Sequence, residues 1–315
     1  MTETAQRPGR IGVIIVAYND LELLERVVAS VQANGHPDTR IIIIDNSTRE
    51  GIGAAMQGRE GIHYLRTPEN LGFCGANNIG IGMAEALGAE FALLLNHDAV
   101  LEPGCLAALQ HRAQSEPEAG IVTGKIYLFA GERKLWYAGG FFSRLIGAGK
   151  NHGFGETDRG QYDAGGEVEY ATGCVMLIPM KVFARAGRLD ERFFMYLDDI
   201  EFCLRVRRAG FRVIYEPQAV VRHELGSGAQ LPQRPDYYLY FSIRNKPLVV
   251  AGGGYGFYLK FATLAIGLIK LAQYGIYPGI PERGNKLRAL LWGLQDAFSA
   301  ESRYHRRFPR LFRRG

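Results

Sequence analysis

Cysteine is scarce in this sequence, and no two cysteines are closely spaced. The 315 residues contain four of them, Cys74, Cys105, Cys174 and Cys203, each in an apolar or helical context. Without a CxxC pair, this usage predicts reduced core thiols rather than a disulfide framework or a zinc site. It also favours a cytosolic protein.

The sequence also lacks an export signal and a long uncharged apolar run. Its start, "MTETAQRPGR", is polar and leads directly into a strand pattern, which argues against a secretory signal peptide. The most apolar stretch, 255–272, is interrupted by Lys260 and Lys270. A membrane-spanning helix needs about 18 or more apolar residues, so this stretch predicts a packed or interfacial helix instead.

Glycine-rich phosphate loops are missing from the expected place. No GxxxxGK[ST] motif occurs, and the first apolar strand is followed by "AYND" rather than by a glycine-rich turn. This excludes a P-loop protein and a dinucleotide fingerprint. It also weighs against a nucleotidyltransferase, the nearest alternative enzyme class.

Positive charge is concentrated at the end of the chain. The net charge is +5, and residues 303–315 contain six arginines and no acid, interleaved with Tyr304, Phe308, Leu311 and Phe312. Such a segment suits nucleic acid or an anionic lipid surface with its aromatic rings in the interface, but it also suits a plain solvated tail. The charge pattern alone leaves these alternatives open.

Apolar strands alternate with amphipathic helices through the first third of the chain. The order is "IGVIIVAY", a helix capped by Asp20, "RIIIID", "GIHYLRT", a helix after Gly72, and "EFALLLN". This predicts an α/β fold with a mostly parallel sheet between helices. Residues 119–180 change to short, glycine-rich strands, and the chain beyond residue 236 is predicted to be helical.

Polar residues follow several of these strands, where open α/β sheets bind ligands. Asp45 ends the second strand, and Asn96-His97-Asp98 ends the fourth. Asp98 lies too far from the next helix to cap it, so we interpret it as a ligand of a divalent cation. His223 ends a later strand and is either a metal or diphosphate contact or a polar strand terminus.

A second group of candidates begins a helix near residue 198, in "YLDDIEFCLR". Asp198 and Glu201 share one helix face, whereas Asp199 points about 100° away from Asp198. Acids in a first turn can simply favour the helix dipole. Apolar neighbours, however, raise a carboxyl pKa toward the range of a general base.

Together these segments resemble the family 2 glycosyltransferases of the GT-A fold, and in particular the bacterial rhamnosyltransferase-like subgroup. The resemblance covers about residues 10–225 and rests on "VIIVAYND", "IIIIDNS", "NLGFCGANNIGI", "LLLNHDAVLEPG", "GCVMLIP" and "GRLDERFFMYLDDIEFCLRVRRAGFRVIYEPQAVVRH". It implies a GT-A domain over 1–235, with a nucleotide-binding half at about 10–118 and an acceptor-binding half at about 119–235. Residues 236–315 would form a helical, membrane-associating extension with a basic tail.

The resemblance also implies a role for each candidate residue. Asp199 is similar to the catalytic base and Asp198 is its acidic neighbour, while Asp98 and His223 match the site for Mg²⁺ or Mn²⁺. Gly173 and Cys174 match the segment beside the acceptor. The nucleotide-binding positions are Ala17, Tyr18, Asn19, Asp45, Asn70, Gly72, Asn77 and Asn96.

The implied reaction is inverting transfer of a sugar from a nucleotide-diphosphate donor, first of all L-rhamnose from dTDP-rhamnose, to a lipid-linked cell-surface glycan. UDP- and GDP-sugars remain alternative donors. Asn96 stands where the metal motif often has aspartate, so an inactive sugar-nucleotide-binding protein also remains open. The implied location is peripheral, on the cytoplasmic face of the inner membrane, and no nucleic-acid partner is expected.

Overall fold

The structure is a computed structural model that describes residues 9–129, 133–224, 234–251, 256–277, 279–299 and 303–312. The predicted alternation in the first third is confirmed. Its elements are β1 (Ile11–Ala17), α1 (Leu21–Ala33), β2 (Thr39–Asp45), α2 (Ile52–Met56), β3 (Ile62–Arg66), α3 (Gly72–Ala86) and β4 (Phe91–Asn96). Asp20 caps α1 as predicted, since its Oδ1 accepts a hydrogen bond from the Leu23 amide at 3.0 Å.

The second part of the chain extends the same sheet with mixed strand directions. Its elements are β5 (Ala99–Leu101), α4 (Cys105–Ser115), β6 (Ala119–Leu128), β7 (Leu135–Tyr137), β8 (Gly140–Ser143), β9 (Ala148–Asn151), β10 (Gly166–Glu167), β11 (Val175–Pro179), α5 (Met180–Ala186), α6 (Asp198–Arg208) and β12 (Arg212–His223). The prediction of short strands holds for β7 to β10 but is wrong for β6, which has 10 residues. β6 is long because it lies in the buried middle of the sheet between β11 and β12.

The sheet has the strand order β10-β12-β6-β11-β4-β1-β2-β3, with β5 added beside β12 and β7 beside β6. The strands β4, β1, β2 and β3 are parallel, whereas β11 runs antiparallel to both β4 and β6. Isoleucine, valine and leucine fill the buried strands because helices cover both faces. The parallel strands therefore bring their carboxyl ends to one edge.

Beyond residue 236, the described part of the chain is mostly helical, as predicted. It forms α7 (Asp236–Arg244), α8 (Lys246–Ala251), α9 (Gly256–Ile276), α10 (Arg283–Ala297) and α11 (Tyr304–Arg307). None of the described helices has the length and hydropathy needed to cross a bilayer. All four cysteines are buried and none forms a disulfide bond, which confirms the prediction of reduced core thiols.

Residues 303–312 of the basic tail pack on the protein, so the interpretation of this part as a plain solvated segment is wrong, while its contact with an anionic lipid surface stays a prediction. Phe308 and Leu311 are buried against Tyr240, Phe241 and Ala289. This packing removes their apolar surface from water and leaves Arg306 and Arg310 exposed, whereas Arg307 is largely buried against Asp296. Arg313 and Arg314, which belong to the predicted basic run, lie outside the described residues.

Candidate active site

Asp98 and His223 lie together at the edge of the sheet, although 125 residues separate them. His223 Nε2 is 3.0 Å from Asp98 Oδ1. The contact arises because β5 pairs antiparallel with the end of β12, with His223 opposite Ala99. Asp98 precedes β5 and does not cap α4, whose N-cap is Gly104. The structure therefore joins the two residues predicted to hold a metal.

Burial shapes the electrostatics of this pair. Burial pushes the pKa of Asp98 upward, but the hydrogen bond and charge of His223 outweigh it and hold that pKa below its ordinary value. Among the described residues, none gives a hydrogen bond to the buried Nδ1 of His223, and the Trp136 ring meets the imidazole edge-on at 4.7 Å. An ionised carboxylate beside an imidazole with an unsatisfied nitrogen is a suitable donor set for a divalent cation.

These donors fit a metal only when a substrate completes its coordination. Within the described residues, no cluster of three or more His, Cys, Asp or Glu side chains can hold a metal ion. Mg²⁺ and similar cations are often bound by one or two protein ligands together with substrate phosphates. The residues at this edge match that arrangement.

Two predicted nucleotide-binding residues build the loop that follows β2. Asn19, with a φ of +57°, accepts hydrogen bonds through Oδ1 from the Thr48 and Arg49 amides, both at 3.0 Å. The buried Asp45 accepts from the Ser47 amide at 3.0 Å and from the Tyr64 hydroxyl at 2.7 Å. Both side chains therefore fix the loop backbone, and a direct contact with ribose or base stays a prediction.

The remaining positions near β1 lie at the same edge. Ala17 is buried and accepts the Asn46 amide at 2.9 Å through its carbonyl, and Tyr18 is partly exposed. Asn77 is buried in α3 and donates to the Phe73 carbonyl one turn earlier at 2.9 Å. Nucleotide contacts from these residues stay predictions as well.

Asn70 connects three parts of the molecule. Its Oδ1 accepts from Asn46 Nδ2 at 2.7 Å and from the Gly72 amide at 2.9 Å, while its Nδ2 donates to the Leu311 carbonyl at 2.9 Å. Gly72 has a φ of +71°, and a Cβ added there would lie 2.4 Å from the Phe194 carbonyl oxygen. Only glycine fits this turn, which brings the start of α3 against the loop before α6.

The acidic pair lies at the start of α6, as predicted, and its two carboxyls have different environments. Asp199 Oδ2 accepts from the Gly173 amide at 3.2 Å, and Oδ1 accepts from the Ile200 amide at 2.8 Å. Burial raises the pKa of Asp199 despite these hydrogen bonds. Asp198 is more deeply buried, and burial together with the neighbouring Asp199 charge raises its pKa to about 8.

Gly173 and Cys174 connect the acidic pair to the end of β4. The Asn96 amide donates to the Cys174 carbonyl at 3.0 Å, next to the Gly173 amide that binds Asp199. The Cys174 side chain is buried, and a contact of this segment with an acceptor stays a prediction. One short segment thus ties the predicted base to the strand that ends in Asn96-His97-Asp98.

Sequence reasoning missed Asn245, which holds the loop before the acidic pair. In that loop, Phe194, Tyr196 and Leu197 have φ values of +62°, +67° and +64°. The fully buried Asn245 donates through Nδ2 to the carbonyls of Phe193, Met195 and Tyr196 at 3.1, 2.8 and 2.9 Å. The sequence offered only a weak signal for this role, an amide after the apolar stretch of α7.

Comparisons with known proteins identify the family of the chain. The profile of the family described as glycosyltransferase like family 2 matches residues 8–246. The chain is 26% identical over 229 residues to N-acetylglucosaminyl-diphospho-decaprenol L-rhamnosyltransferase of Mycobacterium tuberculosis, covering 67% of this chain and 75% of that protein. It is 22% identical over 266 residues to dTDP-rhamnosyl transferase RfbF of Shigella flexneri, covering 81% and 85%.

A solved structure shares the fold. The crystal structure of GalNAc-T7 with UDP, GalNAc and Mn²⁺ matches with a TM-score of 0.62 at 14% identity. The match covers 92% of this chain and 57% of that protein, so the present chain spans little more than half of it. At this level of identity the likeness describes the fold alone.

Proposed function

The chain belongs to glycosyltransferase-like family 2, with the GT-A fold, and from this premise we propose that it transfers L-rhamnose from dTDP-rhamnose to a lipid-linked cell-surface glycan. The observation that supports a working transferase is the chain of contacts at the sheet edge. Asp199 binds the Gly173 amide, and the adjoining Cys174 carbonyl binds the Asn96 amide, two residues before Asp98. These contacts link the proposed base to the strand that precedes the proposed metal ligand Asp98, which supports one shared active site.

The names of two relatives support the choice of donor. Both are rhamnosyltransferases, one of them named for dTDP-rhamnose and the other for a diphospho-decaprenol acceptor. A UDP- or GDP-sugar is the alternative donor, because none of the described contacts selects a particular nucleobase.

Asp199 is the proposed catalytic base. It is partly exposed, and its raised pKa makes it a stronger proton acceptor than an ordinary aspartate. It would take the proton from the acceptor hydroxyl as that oxygen attacks the anomeric carbon opposite the leaving diphosphate, which gives inversion. Burial and the neighbouring Asp199 charge raise the pKa of Asp198, so Asp198 holds its proton more firmly than an ordinary aspartate and limits the negative charge beside the base.

Asp98 and His223 would hold a divalent cation together with the donor diphosphate. When bound, Mg²⁺ or Mn²⁺ supplies positive charge that stabilises the leaving diphosphate. The protein contributes one ionised carboxylate and one imidazole, fixed against each other at 3.0 Å.

We also propose that the enzyme lies peripherally on the cytoplasmic face of the inner membrane. The support is α9, which exposes more large apolar side chains than an ordinary surface helix. These are Phe261, Leu264, Leu268, Ile269 and Ile276, with the polar Lys260 and Gln273 also exposed. Thr263 and Tyr274 are buried instead, and the largely buried Lys270 approaches Ser242 Oγ. An apolar face directed outward suits a lipid interface.

A thermal-shift screen tests this proposal. The purified protein is mixed with dTDP, UDP or GDP, each with Mg²⁺, Mn²⁺ or a chelator, because a ligand of the folded state raises the melting temperature. We expect a metal-dependent shift with dTDP. Hydrolysis of the matching nucleotide sugar then separates an enzyme from the inactive binding protein that Asn96 leaves open. A protein that shifts with none of the nucleotides contradicts the proposal.

A further inference from the structure

Two neighbouring cavities lie between α10 and the C-terminal segment 303–312. Their volumes are about 270 and 300 Å³, and they share Trp292 and Arg307 as lining residues. We call them together the arginine groove, after the five arginines among its lining residues: Arg288, Arg303, Arg306, Arg307 and Arg310. None of the roles assigned above uses it.

The groove gathers more positive charge than its neighbours neutralise. Arg307 pairs with the buried Asp296, and Arg310 pairs with Asp236. Asp236 is the one acid among the described residues that line the groove. Arg288 and Arg306 are exposed and make no ion pair within the described part of the chain. Gathered like charges repel, and a bound anion would relieve that repulsion.

The groove is also rigid on one side. Two guanidinium groups lie over the Trp292 ring, that of Arg288 at 5.9 Å and that of Arg307 at 5.0 Å from its centre. Arg307 is fixed by two hydrogen bonds of 2.7 Å to Asp296, and Trp292 packs on the buried Phe308 at 5.9 Å. Donors held in place in this way lose little conformational freedom when a ligand binds.

The arginine groove lies between two features of the molecule. One is the exposed apolar surface of α9 and α10, and the other is Asn70, which is proposed to bind the donor nucleotide. On α10, Leu287, Leu290 and Leu294 pack towards α9, while Arg288 and Trp292 line the groove. Leu291 and Phe298, 55% and 51% exposed, lie on the outward side between them. On the other side of the groove, Leu311 follows Arg310 and binds Asn70 through its carbonyl.

We propose that the arginine groove binds the diphosphate group of the acceptor's lipid carrier, an inference that rests on the proposed function. Planar guanidinium groups bind phosphate oxygens in pairs, and several of them suit the high charge density of a diphosphate better than a single phosphodiester. A carrier held there would have its apolar chain beside the outward faces of α9 and α10. Its sugar would lie towards the segment that contacts Asn70.

The test compares vesicles of equal charge. Full-length protein is titrated with phosphatidylcholine vesicles that carry farnesyl diphosphate, or enough phosphatidylglycerol to match the same charge. The double variant Arg288→Gln/Arg306→Gln removes the two unpaired groove arginines. The control Arg159→Gln/Arg208→Gln removes two exposed arginines elsewhere, with the same change in net charge.

We expect the unmodified protein and the control to bind the diphosphate vesicles several-fold more tightly than the phosphatidylglycerol vesicles. The groove variant should lose about tenfold or more in affinity for diphosphate vesicles, because each lost arginine removes charge-assisted hydrogen bonds. Equal affinity for both kinds of vesicle would overturn the inference, since the surface would then respond to charge alone. Unchanged diphosphate binding by the groove variant would overturn it too.

The donor site provides a separate readout. The nucleotide-dependent thermal shift is measured on the same variants, and the groove variant should keep the shift of the unmodified protein. If the groove variant loses its preference for diphosphate vesicles but keeps the nucleotide-dependent thermal shift, the result supports diphosphate binding in the groove. If no form of the protein shifts with a nucleotide, the proposed function fails, and with it the assignment of the groove to an acceptor.

Discussion

Two adjacent aspartates, Asp198 and Asp199, show how the local environment gives residues of the same type different burial and different pKa values. Asp198 is almost fully buried, and its pKa rises to about 8, whereas Asp199 accepts two backbone amides and remains partly exposed. A buried carboxyl with a raised pKa beside a more accessible carboxyl divides structural and chemical roles between neighbours. The proposed mechanism depends on this division.

Asp199→Asn should therefore abolish transfer but retain donor binding. Removing a general base typically costs about 10²–10⁴-fold in rate, while the amide side chain can still accept a hydrogen bond from Gly173 or Ile200. Transfer rate and nucleotide-induced thermal shift are measured together. Asp198→Asn is the matched control, and we expect it to retain more activity because the Asp198 side chain is buried and less accessible to an acceptor than that of Asp199. The reverse order of activities would assign the base to Asp198.

Gly72→Ala should destabilise the protein and weaken nucleotide binding. The added methyl would lie 2.4 Å from the Phe194 carbonyl oxygen at a φ of +71°. We expect the free energy of unfolding to fall by about 2–5 kcal/mol, because the left-handed backbone disfavours alanine and the added methyl displaces the Phe194 carbonyl.

Gly104→Ala separates these two effects. Gly104 has a φ of +81°, and a Cβ there would meet nothing within 4 Å. The free energy of unfolding of Gly104→Ala should fall by about 1–2 kcal/mol, because only the backbone conformation disfavours alanine there. Urea unfolding of both variants measures the difference, and equal losses would show that the contact with Phe194 does not constrain the turn.

At the scale of elements, the sequence predicted the features that repeat locally. The alternation of strands and helices, the Asp20 cap and the start of α6 follow from hydrophobic period and capping rules. Asp98 and His223 were individually predictable because each ends a strand. Their contact depends on the pairing of β5 with β12, a long-range register that a local pattern does not encode.

The loop before α6 was unpredictable for a different reason. Its positive φ values fall on Phe194, Tyr196 and Leu197, residue types that do not favour this conformation. Each such residue costs on the order of 1–3 kcal/mol and persists only where surrounding contacts hold it. Here the holding contacts come from Asn245, about fifty residues later, so no local window contains the information.

Asn245→Asp should relax this loop and displace the acidic pair. The substitution keeps the size of the side chain but replaces the donor to three carbonyls with a buried acceptor. Leaving buried carbonyls unpaired costs about 1–3 kcal/mol, and we expect transfer to fall by at least about tenfold. Gln57→Glu, an amide-to-acid change at an exposed position, is the control. Unaltered kinetics with a lowered melting temperature would show that Asn245 only stabilises the fold.

At the scale of the whole molecule, the C-terminal extension forms part of the site region. Phe194 packs against Phe241 at 5.4 Å, Tyr304 at 5.0 Å and Phe312 at 5.1 Å. The same segment reaches Asn70 through the Leu311 carbonyl. The sequence showed the basic and aromatic composition of the tail, but not that its aromatic rings pack inward. That outcome depends on the surface that α7 and α10 offer.

The exposed apolar side chains of α9 lead to a prediction for the molecule as a whole. Leu268→Gln/Ile269→Gln should weaken partitioning into vesicles of bacterial lipid composition without lowering the melting temperature, since these side chains are 54% and 56% exposed. Removing their apolar surface from a lipid contact costs about 2 kcal/mol together, or roughly a thirtyfold drop in partitioning.

The control for α9 is Leu145→Gln/Phe154→Gln, which removes side chains that are 70% and 60% exposed on another part of the surface. If both variants lose partitioning equally, binding follows total exposed apolar area rather than the orientation set by α9. If only the α9 variant loses it, the helix determines how the protein lies on the membrane. Because α9 packs on α10, that orientation would bring the arginine groove to the lipid headgroups together with the acceptor.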